Sequence, residues 1–554
     1  MNTVKKFISL ILVVASLMSF AIPSYAYSGS SFDARDFGWV TPVKSQGTNG
    51  TCWAFATVSA LESDYIAKGY GTAENTDFSE AYFAWFGQNT AVKDPDAPTY
   101  GDGWNISDAY STGGCWLQAM SVLESGSGIA FEKDFPYSMT NPKEMGPYPE
   151  SDRYSAAPVL VEHTVKFGAD EIPEAKKWIR EHGSVTVSYY CDDKYLSQTD
   201  NECSYYSGTN RLYSHEVAVI GWDDNYPAKN FGKNRPPVNG AWLCKNSWGE
   251  TWGDNGYFWL SYAEKTISVF EGYSVMKAEQ CSNKYTYNGT TCSTGFSTTA
   301  DIALANAFTA KADEDITAVT VTTFDSNTKV DVYVYTNVPE DFASPESGSL
   351  SATVSSFFPV SGYFTIPLPE KAAVSKDSIF TVVVEYESDN EMPCYPMEDG
   401  VDHSSRESES FVRCNGKWYD PEFLGDYNNA YIGAISAGEH NFVATETKSA
   451  NCTENGYVIS ECLNCRRKQT VESEALGHRW CDCEGDPETK HCSICNDIQV
   501  KNGGENSGGA GEVESVPSEQ EPEKSFWQII RTVFDFLISF LDLTNIIQSI
   551  IFIG

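Results

Sequence analysis

Basic residues are scarce in this chain of 554 residues: 38 Lys and Arg stand against 76 Asp and Glu, a formal net charge of −38. Phosphate binding needs clustered Lys and Arg, so a broad nucleic-acid footprint is excluded. Histidine is rare as well, at seven, which shortens the roll of candidates for imidazole chemistry. The apolar run from Phe7 to Ile22 falls short of a full bilayer span. Lys5 and Lys6 precede it, and the small residues Ser24 and Ala26 follow it. Residues 1–26 therefore read as a secretory signal peptide cleaved after Ala26, with a retained anchor as the alternative. Either one places the protein outside the cytoplasm, secreted or at the cell surface.

Cysteine, by contrast, is plentiful. Cys52, Cys115, Cys191, Cys203 and Cys244 form a first group, Cys281, Cys292, Cys394 and Cys414 a second, and seven more lie between Cys452 and Cys495. The first group is odd in number, so at least one of its thiols is free or pairs outside it.

So long a chain implies two or three modules with linkers. Residues 28–275 mix helix-like and strand-like patterns, the composition of an α+β enzyme. Residues 282–435 contain "ITAVTVTTF", "KVDVYVYTNV", "GYFTIPL" and "IFTVVVEY", short β-branched and aromatic runs that predict an all-β sandwich. A cysteine-rich unit follows at 437–498 and a disordered linker at 499–524. In the last segment, 525–554, Gln528, Arg531, Asp535, Ser539, Asp542, Asn545 and Ser549 form one narrow polar stripe on an otherwise apolar helix. Such a helix is expected to lie on a membrane surface, to self-associate, or to pack on a partner.

The chemistry gathers in the first module. Cys52 opens "CWAFATVSALESDYIAKGY", where Phe55, Val58, Leu61 and Ile66 are spaced as one buried helical face. A thiol at a helix N-terminus sits in the positive end of the macrodipole. Its natural proton partner is imidazole; His163 and His182 read as lying in polar, helix-flanking text, whereas His215, in "YSHEVAVIGWDD", directly precedes a β-branched strand that would hold it rigidly. Asn246, in "AWLCKNSWGETWGDNGYFWL", can hydrogen-bond the second ring nitrogen and set the tautomer. Trp248 could shield that bond. Gln46 carries a side-chain amide able to face the oxygen that turns negative when a thiolate attacks a carbonyl.

Together "FDARDFGWVTPVKSQGTNGTCWAF", "STGGCW", "SHEVAVIGWDD" and "KNSWGETWGDNGY" resemble the motifs of the papain family of cysteine peptidases, over about residues 32–262. The resemblance implies a two-lobed peptidase fold, with Cys52 as nucleophile, His215 as general base and acid, and Asn246 as orienter. Gln46 and the Cys52 backbone amide would form the oxyanion hole, Trp248 and Trp252 an aromatic wall, and Gly113 and Gly114 the place where a substrate backbone lies close. No cofactor is needed for this catalysis, and the substrates would be proteins or peptides. Acyl transfer to an amine through the same thiol is a second enzyme reading, and a surface adhesin on an inactive peptidase-like platform is the non-enzymatic one.

Three departures from the family pattern stand out. Asn49 and Ser111 occupy positions where the family usually places two bonded cysteines. Cys115, after the glycine pair, and Glu216, after His215, fall at positions that line the main specificity pocket, where Glu216 either admits a basic side chain or turns to solvent or pairs with a nearby Lys. Only a few residues separate Ala26 from "FDARDFGWV", where family members usually carry a long inhibitory propeptide.

The β module resembles the lectin-like domain that follows such peptidases in secreted proteins of anaerobic Gram-positive bacteria, so a glycan is a candidate partner beside a spacer or protein-docking role. The cysteine-rich unit resembles repeats of bacterial surface proteins. Within it His440, Cys452, Cys462 and Cys465 supply one set of four ligands, and His478, Cys492 and Cys495 with Cys483 or Cys481 a second. One imidazole and three thiolates suit tetrahedral zinc; disulfides are the competing reading outside the cell.

Overall fold

The computed structural model describes residues 29–500, apart from 90–104, 156, 199–201, 288–294, 301, 400–407, 426, 438–441, 463–467, 484–485 and 496–497. The expected signal peptide, the terminal helix, nearly all of the 499–524 linker, His440 and Cys465 lie outside these residues. No helix among the described residues is long and apolar enough to cross a membrane.

Helix α1 (Cys52–Ala67) is the axis of the first lobe. Its apolar spacing predicts one buried face, but burial extends nearly all round it and takes in Glu62, Ser63 and Asp64. Buried carboxylates persist only with partners. Asp64 has His182 Nδ1 at 2.6 Å and accepts the Val275 N–H at 2.6 Å, while Glu62 meets Lys44 Nζ at 3.2 Å. Around α1 pack α2 (Glu80–Gln88), capped by the Ser79 hydroxyl, and α3 (Trp116–Glu124). Trp53, Val58, Leu61, Phe83, Val122 and Leu123 form the core of this lobe.

The second lobe is built on β1 (Val159–Gly168), β2 (Val185–Tyr189), β3 (His215–Asp223), β4 (Ala241–Lys245), β5 (Tyr257–Ser261) and β6 (Val269–Lys277). These strands run in the order β1-β6-β2-β3-β4-β5. Helix α4 (Ile172–His182) lies between β1 and β2 in the chain and stops at Gly183, whose φ of 86° is the left-handed conformation that glycine adopts without strain.

The sandwich has two sheets. One contains β7 (Ile302–Thr309), β8 (Thr328–Val338) and β9 (Ile379–Ser388), and the strict in-out alternation of β8 buries Val330, Val332 and Val334. Its other sheet includes Glu314–Thr323, Ile432–Ala437 and β10 (Ser361–Val374). That second sheet does not stop at the module boundary. Residues Ser361–Phe364 of β10 pair antiparallel with His163–Lys166 of β1, giving one continuous sheet of 13 strands. An unpaired β1 would present open N–H and C=O groups, and β10 covers that edge. Tyr363 from β10 even enters the core around α1.

The cysteine-rich stretch divides in two. Strands Phe442–Lys448, Gly456–Cys462 and Lys468–Ser473 form a small sheet within the larger unit. Residues 451–454 belong instead with those from 475 onward, where Trp480–Cys483, Asp486–Cys492 and Ile498–Val500 form a second small sheet. The Leu476 N–H donates to the Asn451 carbonyl at 2.8 Å, tying the two pieces of that unit together.

Candidate active site

Cys52 is the first residue of α1, and His215 the first of β3. His215 is buried, with Nε2 2.8 Å from Asn246 Oδ1. The Ser247 N–H donates to the same Asn246 oxygen at 2.8 Å. A backbone N–H can only donate, so that atom is an oxygen and the imidazole nitrogen facing it carries the proton. Nδ1 is left with its lone pair, as a proton acceptor. Asn246 Nδ2 is buried with no partner among the described residues. Trp248 stacks on the imidazole at 4.6 Å and 25°, and Trp252 meets Trp248 edge-on at 5.0 Å. The Asn246 bond is thus roofed by an indole, as the sequence suggests.

The Cys52 thiol lies close enough to the backbone of Glu216, the neighbour of His215, to feel its N–H. Burial pushes it up to about 11, helped by the charge of Glu216, while the N–H groups of Glu216 and Trp53 and its own amide pull it down. His215 is lowered to about 4, by burial first and against the Asn246 bond. Each charge taken singly is disfavoured here. Thiolate and imidazolium are therefore expected to arise together, by proton transfer between the two.

Gln46 is held on two sides. Its Nε2 donates to the Asn49 carbonyl at 2.7 Å, and its Oε1 accepts from the Ser247 hydroxyl at 2.6 Å. Ser247 thereby joins Asn246 to Gln46, a link that sequence reasoning missed although Ser247 lies inside "KNSWG". Asn49 replaces a crosslink with hydrogen bonds: its Nδ2 donates to Tyr137 Oη at 2.8 Å and to the Ser138 carbonyl at 3.2 Å. Tyr137 Oη lies 2.7 Å from Thr51 Oγ1 and donates to the Gln46 carbonyl at 3.0 Å. The Gly50 N–H reaches the Tyr110 carbonyl at 2.7 Å, so this loop stays tied to the segment bearing Ser111.

Gly113 has φ 83° and open space where a Cβ would stand, whereas a Cβ on Gly114 would meet the Trp53 ring at 2.5 Å. One glycine serves the backbone turn, the other the packing. Cys115 caps α3, where its N–H donates to Gln118 Oε1 at 2.9 Å, and its half-buried thiol feels the charges of Glu216 and Glu271. Glu271 is a site neighbour that the sequence did not disclose. It stands on β6 opposite Thr186, two residues along β2 from Ser188, which faces Glu216. Thr186 donates to Glu271 at 2.8 Å and Ser188 to Glu216 at 3.2 Å. Burial raises Glu216 to about 7 and Glu271 well above the usual carboxylate range, the latter also through the charge of Glu216. Glu216 is thus a buried carboxyl that is only partly ionised at neutral pH.

Of the expected metal ligands, Cys452, His478, Cys492 and Cys495 come together, with their ligand atoms within 4.8 Å of one another. Cys452, grouped by sequence with Cys462, joins the second set instead. Cys462 is buried at the end of a strand in the larger unit. Cys483 ends the strand Trp480–Cys483.

The family model described as papain family cysteine protease matches residues 28–280, and the one described as lectin like domain matches residues 284–436. Cysteine proteinase 1 of Zea mays is 31% identical over 230 residues, 41% of this chain and 54% of that protein. Thiol protease aleurain of Arabidopsis thaliana is 28% identical over 246 residues, 43% of this chain and 57% of that protein. The chain thus spans about half the length of these curated relatives. Among solved structures, the clostridial cysteine protease Cwp84 after propeptide cleavage superposes with a TM-score of 0.61 at 27% identity, over 74% of this chain and all of that one. A structure of the cysteine protease and lectin-like domains of Cwp84, a surface layer associated protein of Clostridium difficile, gives 0.60 at 26%, over 74% and 89%. The chain therefore carries a papain family cysteine protease domain at residues 28–280, followed by a lectin like domain at residues 284–436.

Proposed function

We propose that this protein is a secreted or cell-surface endopeptidase that cleaves protein or peptide substrates through an acyl-enzyme on Cys52. The observation that carries the reading is the imidazole of His215, held by Asn246 at 2.8 Å beneath Trp248, on the residue before Glu216, whose backbone acts on the thiol that opens α1. Cys52 Sγ passes its proton to His215 Nδ1, and the thiolate attacks the substrate carbonyl carbon. The oxyanion is taken up by the Cys52 backbone N–H and the Gln46 amide, whose orientation Ser247 supports. His215 Nδ1–H then protonates the leaving amine as the C–N bond breaks. Water, deprotonated by the same nitrogen, attacks the thioester and restores the thiol.

Gly113 and Gly114 would let the substrate backbone approach and pair as an added strand. Glu216, next to Cys115 and Glu271, would favour a basic side chain at the second residue before the cut when ionised. An extracellular setting is supported by the leader expected at residues 1–26 and by the likeness to Cwp84, a surface layer associated protein. The sandwich would bind a glycan.

The test is peptide-library cleavage by the full chain under reducing conditions, beside Cys52→Ala. Hydrolysis lost in the variant supports the reading. Amide products formed with added amines would instead assign acyl transfer, and no cleavage at all would leave only an adhesin.

A further inference from the structure

We propose that Cys452, His478, Cys492 and Cys495 bind one zinc ion, a single site drawn from both cysteine clusters instead of one site in each. Cys452 Sγ lies 3.6 Å from Cys492 Sγ, and Cys495 Sγ lies 3.3 Å from His478 Nδ1. A tetrahedron with Zn–S of about 2.3 Å and Zn–N of about 2.0–2.1 Å has edges of roughly 3.5–3.8 Å. Both spacings approximate those edges, and all four ligand atoms lie within 4.8 Å of one another. Three thiols and an imidazole are what tetrahedral structural zinc takes, whereas pairing two of the thiols would strand the third beside the ring.

The surroundings hold the ligands in this arrangement. Trp480 stacks on the His478 ring at 4.7 Å and 24°, fixing its plane. The Ile494 N–H donates to Cys492 Sγ at 3.4 Å, a bond that suits a thiolate within a Cys-x-x-Cys turn. Cys452 and Cys492 are buried and Cys495 is exposed, which leaves one side for the ion to enter. Need for the ion follows from size: among the described residues, the strands of this unit have four, seven and three residues. Such short strands bury little, and small units of this kind depend on a staple. Cys452 and Cys492 are 40 positions apart, so the ion would close the unit's two pieces onto each other. On binding, the three thiols release their protons to solvent, and the Zn(II) site with a neutral imidazole carries a net charge of −1.

The test uses the full chain, purified reduced and without chelator. Zinc is counted by elemental mass spectrometry, then again by colorimetric release with a mercurial. One zinc per chain is expected, lost in Cys452→Ser and in Cys492→Ser and retained in Cys465→Ser and His440→Ala. Cobalt substituted into the native chain should give intense visible bands and a thiolate-to-metal charge-transfer band, both weakened in Cys452→Ser. Cleavage of a short peptide reports that the peptidase domain of each variant is folded, and chelation should leave that cleavage unchanged. Two zinc ions per chain, retention of zinc in Cys452→Ser, or a zinc-free chain with Cys452 and Cys492 in a disulfide would overturn the proposal.

Discussion

Around Cys52 and His215 the decisive quantity is the cost of a lone charge. The thiol is pushed up to about 11 and the imidazole down to about 4, both chiefly by burial, so proton transfer from one to the other is the expected route to the charged pair. Asn246 holds the ring from behind through its Oδ1. Asn246→Ala should lower kcat by on the order of 10²-fold with little change in KM, because it frees the tautomer without touching substrate; equal kcat in steady-state assays would remove Asn246 from the machinery. Glu216 titrates near 7, above its unfolded value of about 4.3. The folded state then binds the extra proton, so stability falls as pH rises from about 4.3 to about 7. Glu216→Gln should raise stability by on the order of 2 kcal/mol at pH 8 and leave it unchanged at pH 4, as read by urea unfolding. In peptide profiling, any preference for a basic side chain should strengthen above pH 7 and vanish in the variant.

Four of these site residues were legible because their chemistry is written in short blocks: a cysteine at a helix start, a histidine before a β-branched strand, an Asn-Ser-Trp, and a glutamine upstream. Long-range partners were not. Tyr137 stands 91 positions from Gln46 and Glu271 lies on another strand, and nothing in "FPYSM" or "VFEGYS" marks either. The crosslink missing at Asn49 is answered by the Tyr137 hydrogen bonds, which keep the loop before Cys52 anchored.

For helices and strands, periodicity served the sandwich well and α1 less well. All four β-branched runs quoted from the sequence fall on strands, because β-branched and aromatic residues bounded by turn residues are a strong local signal; strict alternation is confined to β8. In α1 the spacing of Phe55, Val58, Leu61 and Ile66 marked one face, yet Glu62 and Asp64 are buried too, through partners that only the fold supplies. The β1–β10 seam was invisible for the same reason: strand pairing between distant segments leaves no local mark. At its tightest point a Cβ on Gly362 would sit 2.0 Å from the Thr164 carbonyl oxygen. Gly362→Ala should therefore destabilise the protein by about 1–3 kcal/mol, measured by denaturant unfolding; an unchanged midpoint would argue against close pairing at the seam.

A sheet continuous from β5 to the sandwich makes the two matched domains one folding body. Composition separated them near residue 280, since each has its own residue pattern, but backbone pairing across β1 and β10 overrides that division. A fragment ending at 437 should unfold in a single calorimetric transition, whereas one ending at 280 exposes the edge of β1 and should aggregate or lose most of its stability. Two well-separated transitions in the longer fragment would contradict this coupling.

The most direct measurement is covalent labelling of the reduced full chain by a thiol-directed epoxide, located by mass spectrometry, in the native protein and in His215→Ala. Stoichiometric modification confined to Cys52 and largely lost in His215→Ala is the predicted result. Equal labelling of Cys52 in both proteins, or labelling spread over other thiols such as Cys115 and Cys191 with Cys52 spared, would contradict a nucleophile activated by that imidazole.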